Sequence, residues 1–304
     1  MQTLVIGYGS IGARHARLLD AQGHDVICVT GNPECPFPVF NTIAKALERT
    51  APSFAIISNA TTDHFSSLET LIQAKFPGRI LVEKPLFEKL QTLSGTESHD
   101  ISVAYNLRFH SLVKRVAELL EGQPILSAQF HVGQYLPDWR PDTDYSSSYS
   151  ASRSRGGGVL RDLSHELDLA LWLLGAWRRV VAIGGKFSSL DIDSDDTFSV
   201  LMETTRCPAV TINLDYLNRT VRRGFDINTE GMSLRGDLVS GILEINGEQE
   251  QFKLNPDSTY LEQLQAFTCG ENQNQCSFEQ GLRIVELIEA IETSVNQHSW
   301  IKAT

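Results

Sequence analysis

Three clusters of residues in this chain have the types and spacing to do chemistry. The first is GYGSIG, residues 7–12. Gly7 permits a tight turn, Gly9 lets backbone approach a pyrophosphate, and Gly12 lets a helix pack close to a strand. Tyr8, Ser10 and Ile11 complete the turn, and the helix start offers free N–H groups to phosphates. The second is EKP, residues 83–85, in which Lys84 can orient a hydroxyl, lower its pKa or carry its proton, with Glu83 beside it. The third lies in RGGGVLRDLSHELDLALWLLG, residues 155–175, where Asp162 and His165 interrupt an otherwise apolar helical pattern. A carboxylate next to an imidazole can set its tautomer, and the imidazole can then move a proton near neutral pH. Each cluster also has a plainer reading. A glycine turn needs no ligand, a lysine after a strand can simply be solvated, and an aspartate near a helix start is favoured by the dipole.

The elements that must position these groups follow from hydrophobic periodicity. The first ~110 residues alternate strand and helix, the signature of a parallel sheet with crossover helices. Strands are expected at TLVIG (3–7), DVICVT (25–30), PVF (38–40), SFAIIS (53–58), RILVE (79–83) and ISVAY (101–105). Helices are expected at 11–22, after a cap at Asn41, and at 62–75 behind a Thr-Thr-Asp cap. This is a doubly wound nucleotide fold, whose ligands bind at the carboxyl edge of the strands. At the end of the second strand, where an acid would hold the ribose of NAD, stands Thr30-Gly31-Asn32. Thr30 or Asn32 could bond a phosphate there, but no arginine follows, so NAD and NADP both remain open.

Beyond residue ~120 the rhythm changes. ILSAQFHVGQYL (125–136) reads as a long strand, and six strand-like runs between 180 and 254 alternate apolar and polar residues, as a sheet with one solvated face should. Helices at 259–268 and 278–296 close the chain. Between them, Val159, Leu160, Leu163, Leu167, Ala170, Leu171 and Leu174 form one stripe of a single helix. On that helix Asp162 and His165 lie about 60° apart, within bonding reach. The expected architecture is α/β: an N-terminal Rossmann doubly wound parallel sheet (1–120), then an α+β domain (121–304) with a large, mostly antiparallel open sheet. The stretch 133–155 is too long to be mere connection and is the expected substrate loop. In it Trp139 and Tyr149 could stack on a sugar face or a base, and Arg140, Arg153 and Arg155 could take a phosphate or carboxylate. A flexible surface lid is the alternative.

Composition narrows the class. The chain has 304 residues, 21% of them charged, and a net charge of −11. That balance argues against nucleic acid as a partner; the most basic stretch, Arg219, Arg222 and Arg223, reads as a strand edge or a small-anion contact. No apolar run approaches the ~20 residues a bilayer requires, and no signal peptide is evident at the N-terminus. Five cysteines show no metal-ligand spacing, so no metal is expected and a reduced, cytoplasmic setting is.

Taken in order, GYGSIG, the ATTDH turn (60–64), EKP, YNLRFH (105–110) and GGGVLRDLSHELD make a specific set. With them the chain resembles the glucose–fructose oxidoreductase, inositol dehydrogenase and rhizopine-catabolism (Gfo/Idh/MocA) family over its whole length. The resemblance implies NAD or NADP at the glycine turn, a small-molecule sugar substrate in a cleft between domains, and a homodimer or homotetramer built on the open sheet. It places Asn59, Ala60, Thr61, His64, Glu83 and Asn106 with the cofactor and Lys84 near the nicotinamide. Tyr105 approaches that end too and, with Arg108, reaches toward the substrate. The implied reaction is hydride transfer between a nicotinamide and a secondary alcohol or ketone of a sugar, with Lys84, His165 and Asp162 as the catalytic group. The commoner family pattern puts the histidine four residues after the aspartate. Here His165 follows Asp162 by three and Glu166 takes the fourth place, so Glu166 competes for the substrate. A redox-neutral lyase or epimerase, a nucleotide-sensing regulator and a biliverdin-reductase-like role remain as other readings of the same fold.

Overall fold

The computed structural model describes residues 1–140 and 143–303. The chain forms two compact units: Met1–Asn106 with Asp257–Val285, and Leu107–Pro256 with the remainder from Glu286.

In the first unit β1 (Gln2–Ile6), β2 (Asp25–Val29) and β3 (Val39–Phe40) alternate with α1 (Ser10–Ala21) and α2 (Ile43–Arg49). β4 (Phe54–Ile57), α3 (Thr61–Gln73), β5 (Arg79–Val82) and β6 (Ile101–Val103) follow. The inner strands are apolar along their whole length because helices cover both faces; Val5, Ile56 and Leu81 are fully buried. Two expected caps differ. The cap of α2 is Thr42, not Asn41, its hydroxyl accepting from the Lys45 N–H. α3 begins one residue early, behind Ala60 and with no side-chain cap, while Asp63 faces the dipole in its first turn.

The second unit opens with α4 (Ser111–Leu119) and β7 (Ile125–Gly133). The expected single helix over the Asp162–His165 region is two: α5 (Val159–Asp162) and α6 (His165–Leu174). The join falls at Leu163-Ser164, where serine favours a helix end over a helix interior. α6 buries His165, Glu166, Leu167, Asp168, Leu169 and Ala170 in succession, so it is enclosed on every side and carries no simple stripe. Next come β8 (Trp177–Gly185), β9 (Thr197–Thr204), β10 (Val210–Asp215), β11 (Arg222–Thr229), β12 (Ser233–Asp237), β13 (Ile242–Ile245) and β14 (Glu248–Gln251). The chain then forms α7 (Ser258–Cys269), β15 (Cys276–Ser277), α8 (Phe278–Gln297) and β16 (Ile301–Lys302).

The first sheet has the order β15-β6-β5-β4-β1-β2-β3 and is parallel except for β15, which pairs antiparallel with β6. β1 lies between β2 and β4, so the topological switch point falls at its carboxyl end. The second sheet, β14-β13-β12-β11-β7-β10-β9-β8-β16, is antiparallel except for the β7–β10 pair. From Arg179 onward in β8 and along β9 burial alternates residue by residue, which leaves Ile183 and Leu201 on an exposed face. No helix among the described residues is long and apolar enough to cross a membrane.

Candidate functional site

β1, β4 and β5 run parallel, so the turns after them emerge on one edge of the first unit's sheet. Gly7 ends β1 with φ +95°, and a β-carbon there would lie 2.5 Å from both Asn59 N and Cα. A β-carbon on Gly12 would overlap the Gly7 carbonyl oxygen and come within 2.7 Å of Ser58 Oγ. Ser58 donates to the carbonyls of Ile6 (3.2 Å) and Gly7 (3.0 Å), lacing the end of β4 to the turn. Gly9 is the opposite case: a β-carbon there would meet nothing within 4 Å. It stands at the N-cap of α1, where no side chain caps the helix and its first turn carries no acid. The first amide N–H groups of α1, at Ser10 and Ile11 beside the open space at Gly9, therefore have no side-chain cap. Beside Tyr8, Ser10 and Ile11 runs a groove of about 540 Å³.

The other residues expected around a cofactor divide. Asn32 is turned inward, its Nδ2 donating to the Tyr8 carbonyl (3.1 Å), its backbone N–H to Thr30 Oγ1 (3.0 Å) and its Oδ1 accepting from Glu34 N (2.9 Å). It ties the loop after β2 to the glycine turn. Asn59 Nδ2 donates to Ser67 Oγ at 2.9 Å, and Ala60 and Thr61 start α3 beside it. His64, expected at the cofactor, is buried instead. Its Nδ1 sits 3.1 Å from the Pro85 carbonyl and 3.2 Å from that of Leu86, and its Nε2 faces Asn59 O at 3.3 Å. Burial holds its pKa below the ordinary imidazole value. Asn106 is buried too, donating to Thr259 Oγ1 at 2.7 Å, and Tyr105, expected near the substrate, is fully enclosed.

Lys84 follows β5 at this same edge and is half-buried; its bond to Pro85 is cis. Glu83 beside it is engaged twice. Its Oε2 accepts from the Lys84 N–H at 3.2 Å, and its Oε1 lies 2.7 Å from Nε2 of His15 on α1. The sequence reading gave His15 no role, because an imidazole in mid-helix carries no signal of a partner 68 residues away.

In the second unit Asp162 closes α5 and His165 opens α6. The break between them removes the wheel geometry on which a direct bond was expected. Asp162 Oδ2 accepts from the Tyr216 hydroxyl at 2.6 Å. Tyr216 is fully buried at the end of β10, and burial and then Asp162 raise its pKa well above the usual phenol range, so it remains a donor. Glu166, the competitor to His165, is buried with Oε1 2.8 Å from Arg223 Nε on β11. Arg223 was read as a strand edge or anion contact; its partner is this internal carboxylate. Arg108, expected at the substrate, is also internal. It is 2% exposed and forks onto Asp168 through Nε (3.1 and 3.0 Å) and Nη2 (2.6 Å), with its guanidinium 5.5 Å from the Trp172 ring centre.

The expected substrate loop is folded onto itself, apart from residues 141 and 142, which lie outside the described residues. Trp139 Nε1 donates to Gln134 O (3.2 Å), and its ring meets Tyr216 edge-on at 5.2 Å. Tyr149 donates its hydroxyl hydrogen to Gly156 O (2.7 Å), Arg153 its backbone N–H to Asp193 Oδ1 (2.7 Å), and Arg155 its guanidinium to Ser147 O (2.8 Å). Trp139, Arg140 and Tyr149 line a cavity of about 50 Å³, too small for a sugar ring as it stands.

Residues 115–235 match the family model of the GFO/IDH/MocA C-terminal domain. Within this chain that stretch, from α4 to β12, is similar to the C-terminal domain of the Gfo/Idh/MocA family. The chain is similar to the myo-inositol dehydrogenase Hyg17 of Streptomyces leeuwenhoekii, 27% identical in an alignment that covers 88% of this chain and 87% of that one. The fold is shared with the WlbA dehydrogenase of Bordetella pertussis, solved with NADH and UDP-GlcNAcA (TM-score 0.82, 17% identity, 100% and 98% of the two chains). It is shared too with a levoglucosan dehydrogenase solved with NADH (TM-score 0.83, 17% identity, 100% and 99%). The glycine turn of this chain fits a dinucleotide. Gly7 and Gly12 are closed by their own neighbours, whereas the space beside Gly9 and the amides of α1 is what a pyrophosphate fills.

Proposed function

We propose that this chain is an NAD(P)-dependent oxidoreductase acting on a secondary alcohol or ketone of a sugar or sugar derivative. The observation that carries the reading is Gly9: the one glycine of the turn open to a ligand, at an uncapped helix start, on the same sheet edge as Lys84. A bound nicotinamide would supply the hydride acceptor. The chain's own part is to hold the pyrophosphate at Gly9 and the α1 amides, and to move the proton of the reacting hydroxyl. We assign that proton transfer to Lys84. His165 is the second candidate, with Asp162 as its neighbour in sequence and Tyr216 holding Asp162 in place. General-base assistance of this kind is typically worth roughly 10²–10⁴ in rate.

The substrate class follows the relatives, named for myo-inositol and levoglucosan or solved with a nucleotide-linked sugar. A polyhydroxylated ring is therefore our reading here. We also propose that the exposed face of the second sheet, with Ile183 73% and Leu201 42% exposed, pairs with a second copy, and that the chain works in the reducing cytoplasm. The test is turnover followed at the reduced-nicotinamide band with NAD and NADP over free, phosphorylated and nucleotide-linked sugars, with Lys84→Ala alongside. A signal from one sugar class, lost in the variant, is expected. Product formed with no net change in the nucleotide would replace this reading by the redox-neutral one.

A further inference from the structure

We propose that His15 is a positioning residue for Lys84, acting through Glu83. The inference rests on the proposed role of Lys84. His15 lies on α1 just after the glycine turn and is fully buried. Its Nε2 is 2.7 Å from Glu83 Oε1, and the other oxygen of that carboxylate receives the Lys84 N–H at 3.2 Å. Nδ1 has no partner among the described residues, and the ring packs edge-on against Tyr260 at 5.9 Å. An apolar side chain would fill this place at lower desolvation cost, because a buried imidazole and carboxylate are tolerated only through the bond between them. That single bond spans the two parts a hydride transfer must register. α1 carries the amides that face the pyrophosphate, and Glu83 carries the backbone of Lys84. On the far side of the turn, His64 holds the carbonyls of Pro85 and Leu86. The backbone of Lys84 is thus held from α1 before it and from α3 after it, so the root of its side chain keeps a set position relative to whatever α1 binds. Catalytic groups need such support, since a displacement of about 1 Å can cost about 10²-fold in rate.

The test uses the full chain with His15→Leu, which removes the bond, and His15→Gln, whose amide N–H can reach the same oxygen. Backbone amide exchange over residues 83–87, measured without nucleotide, is expected to quicken in His15→Leu and to return toward wild type in His15→Gln. With nucleotide and substrate, kcat is expected to fall about 10–100-fold in His15→Leu while KM for the nucleotide stays within about threefold. His15→Gln is expected to recover most of that loss. A lower melting temperature with kcat and exchange unchanged would overturn the proposal, because His15 would then serve packing alone. Should His15→Leu fail to fold, Glu83→Gln takes its place: faster exchange at Lys84 with reduced kcat supports the proposal, and neither overturns it. Lys84→Ala separates the two claims. If it turns over like wild type, the reading of Lys84 falls, while the exchange data still decide whether His15 holds the turn.

Discussion

The same substitution two residues apart is expected to have opposite consequences. Gly7→Ala puts a methyl group 2.5 Å from Asn59 N and Cα at φ +95°, where neither partner is a side chain that can swing away. Left-handed strain of roughly 1–2 kcal/mol and the overlap with backbone together cost about 3 kcal/mol or more. That lowers the melting midpoint by on the order of 10 °C. Gly9→Ala adds its methyl group where nothing stands within 4 Å, at φ −86° and ψ −164°, which any residue adopts. Its fold is unharmed and gains ~0.4–1 kcal/mol from the stiffer unfolded chain. The methyl group instead occupies the space assigned to the pyrophosphate. Losing two charge-assisted hydrogen bonds at about 1.5 kcal/mol each weakens binding about 100-fold. Thermal melts and titration of NADH by fluorescence read the two effects separately. A Gly9→Ala protein that binds NADH as wild type does would refute the placement of the phosphates, whatever its stability.

Asp168→Asn strands the Arg108 guanidinium, 2% exposed, beside a neutral amide. A loss of about 3–5 kcal/mol in urea unfolding is expected; an unchanged midpoint with a raised KM would return Arg108 to the substrate. Tyr216→Phe removes the 2.6 Å donor to Asp162, which should cost about 1–3 kcal/mol and lower kcat more than nucleotide affinity; stability and kcat both at wild-type level would deny the pair any part. Burial depresses the pKa of His64, so the unfolded chain binds a proton that the native chain refuses once pH drops below ~6.5. The stability is complete above that value and falls with pH toward the native pKa. His24 and His131 are depressed as well, so the readout is the difference between wild type and His64→Gln. The variant should lose up to about 1.4 kcal/mol per pH unit of slope, and parallel curves would contradict the assignment.

The first unit was legible wherever a local pattern decides structure. Runs such as Phe54–Ile57, buried on both faces, and the Gly7–Gly12 turn between strand and helix require no knowledge of distant residues. The contacts that the sequence did not show are those between residues remote in sequence. Arg108 was expected to reach toward the substrate, and nothing local to it signals Asp168, sixty residues on, onto which it folds. His15 and Glu83 pair across 68 residues, and Tyr216 reaches Asp162 across 54. The unbroken helix from Val159 to Leu174 failed for a related reason. α6 is enclosed on every side, so its apolar periodicity carried no sign of the break at Leu163-Ser164. β15, two residues long, is too short to leave any pattern and exists through its pairing with β6.

The central claim is that a hydride leaves a carbinol carbon for a nucleotide held at Gly9 while Lys84 takes the proton. Its most direct measurement uses a sugar of the active class deuterated at its carbinol carbons, incubated with NAD and the full chain. Mass spectrometry then follows the label. Deuterium in the nicotinamide with wild type, and far more slowly with Lys84→Ala, is the result the account requires. Product formed while the nicotinamide stays unlabelled would contradict it.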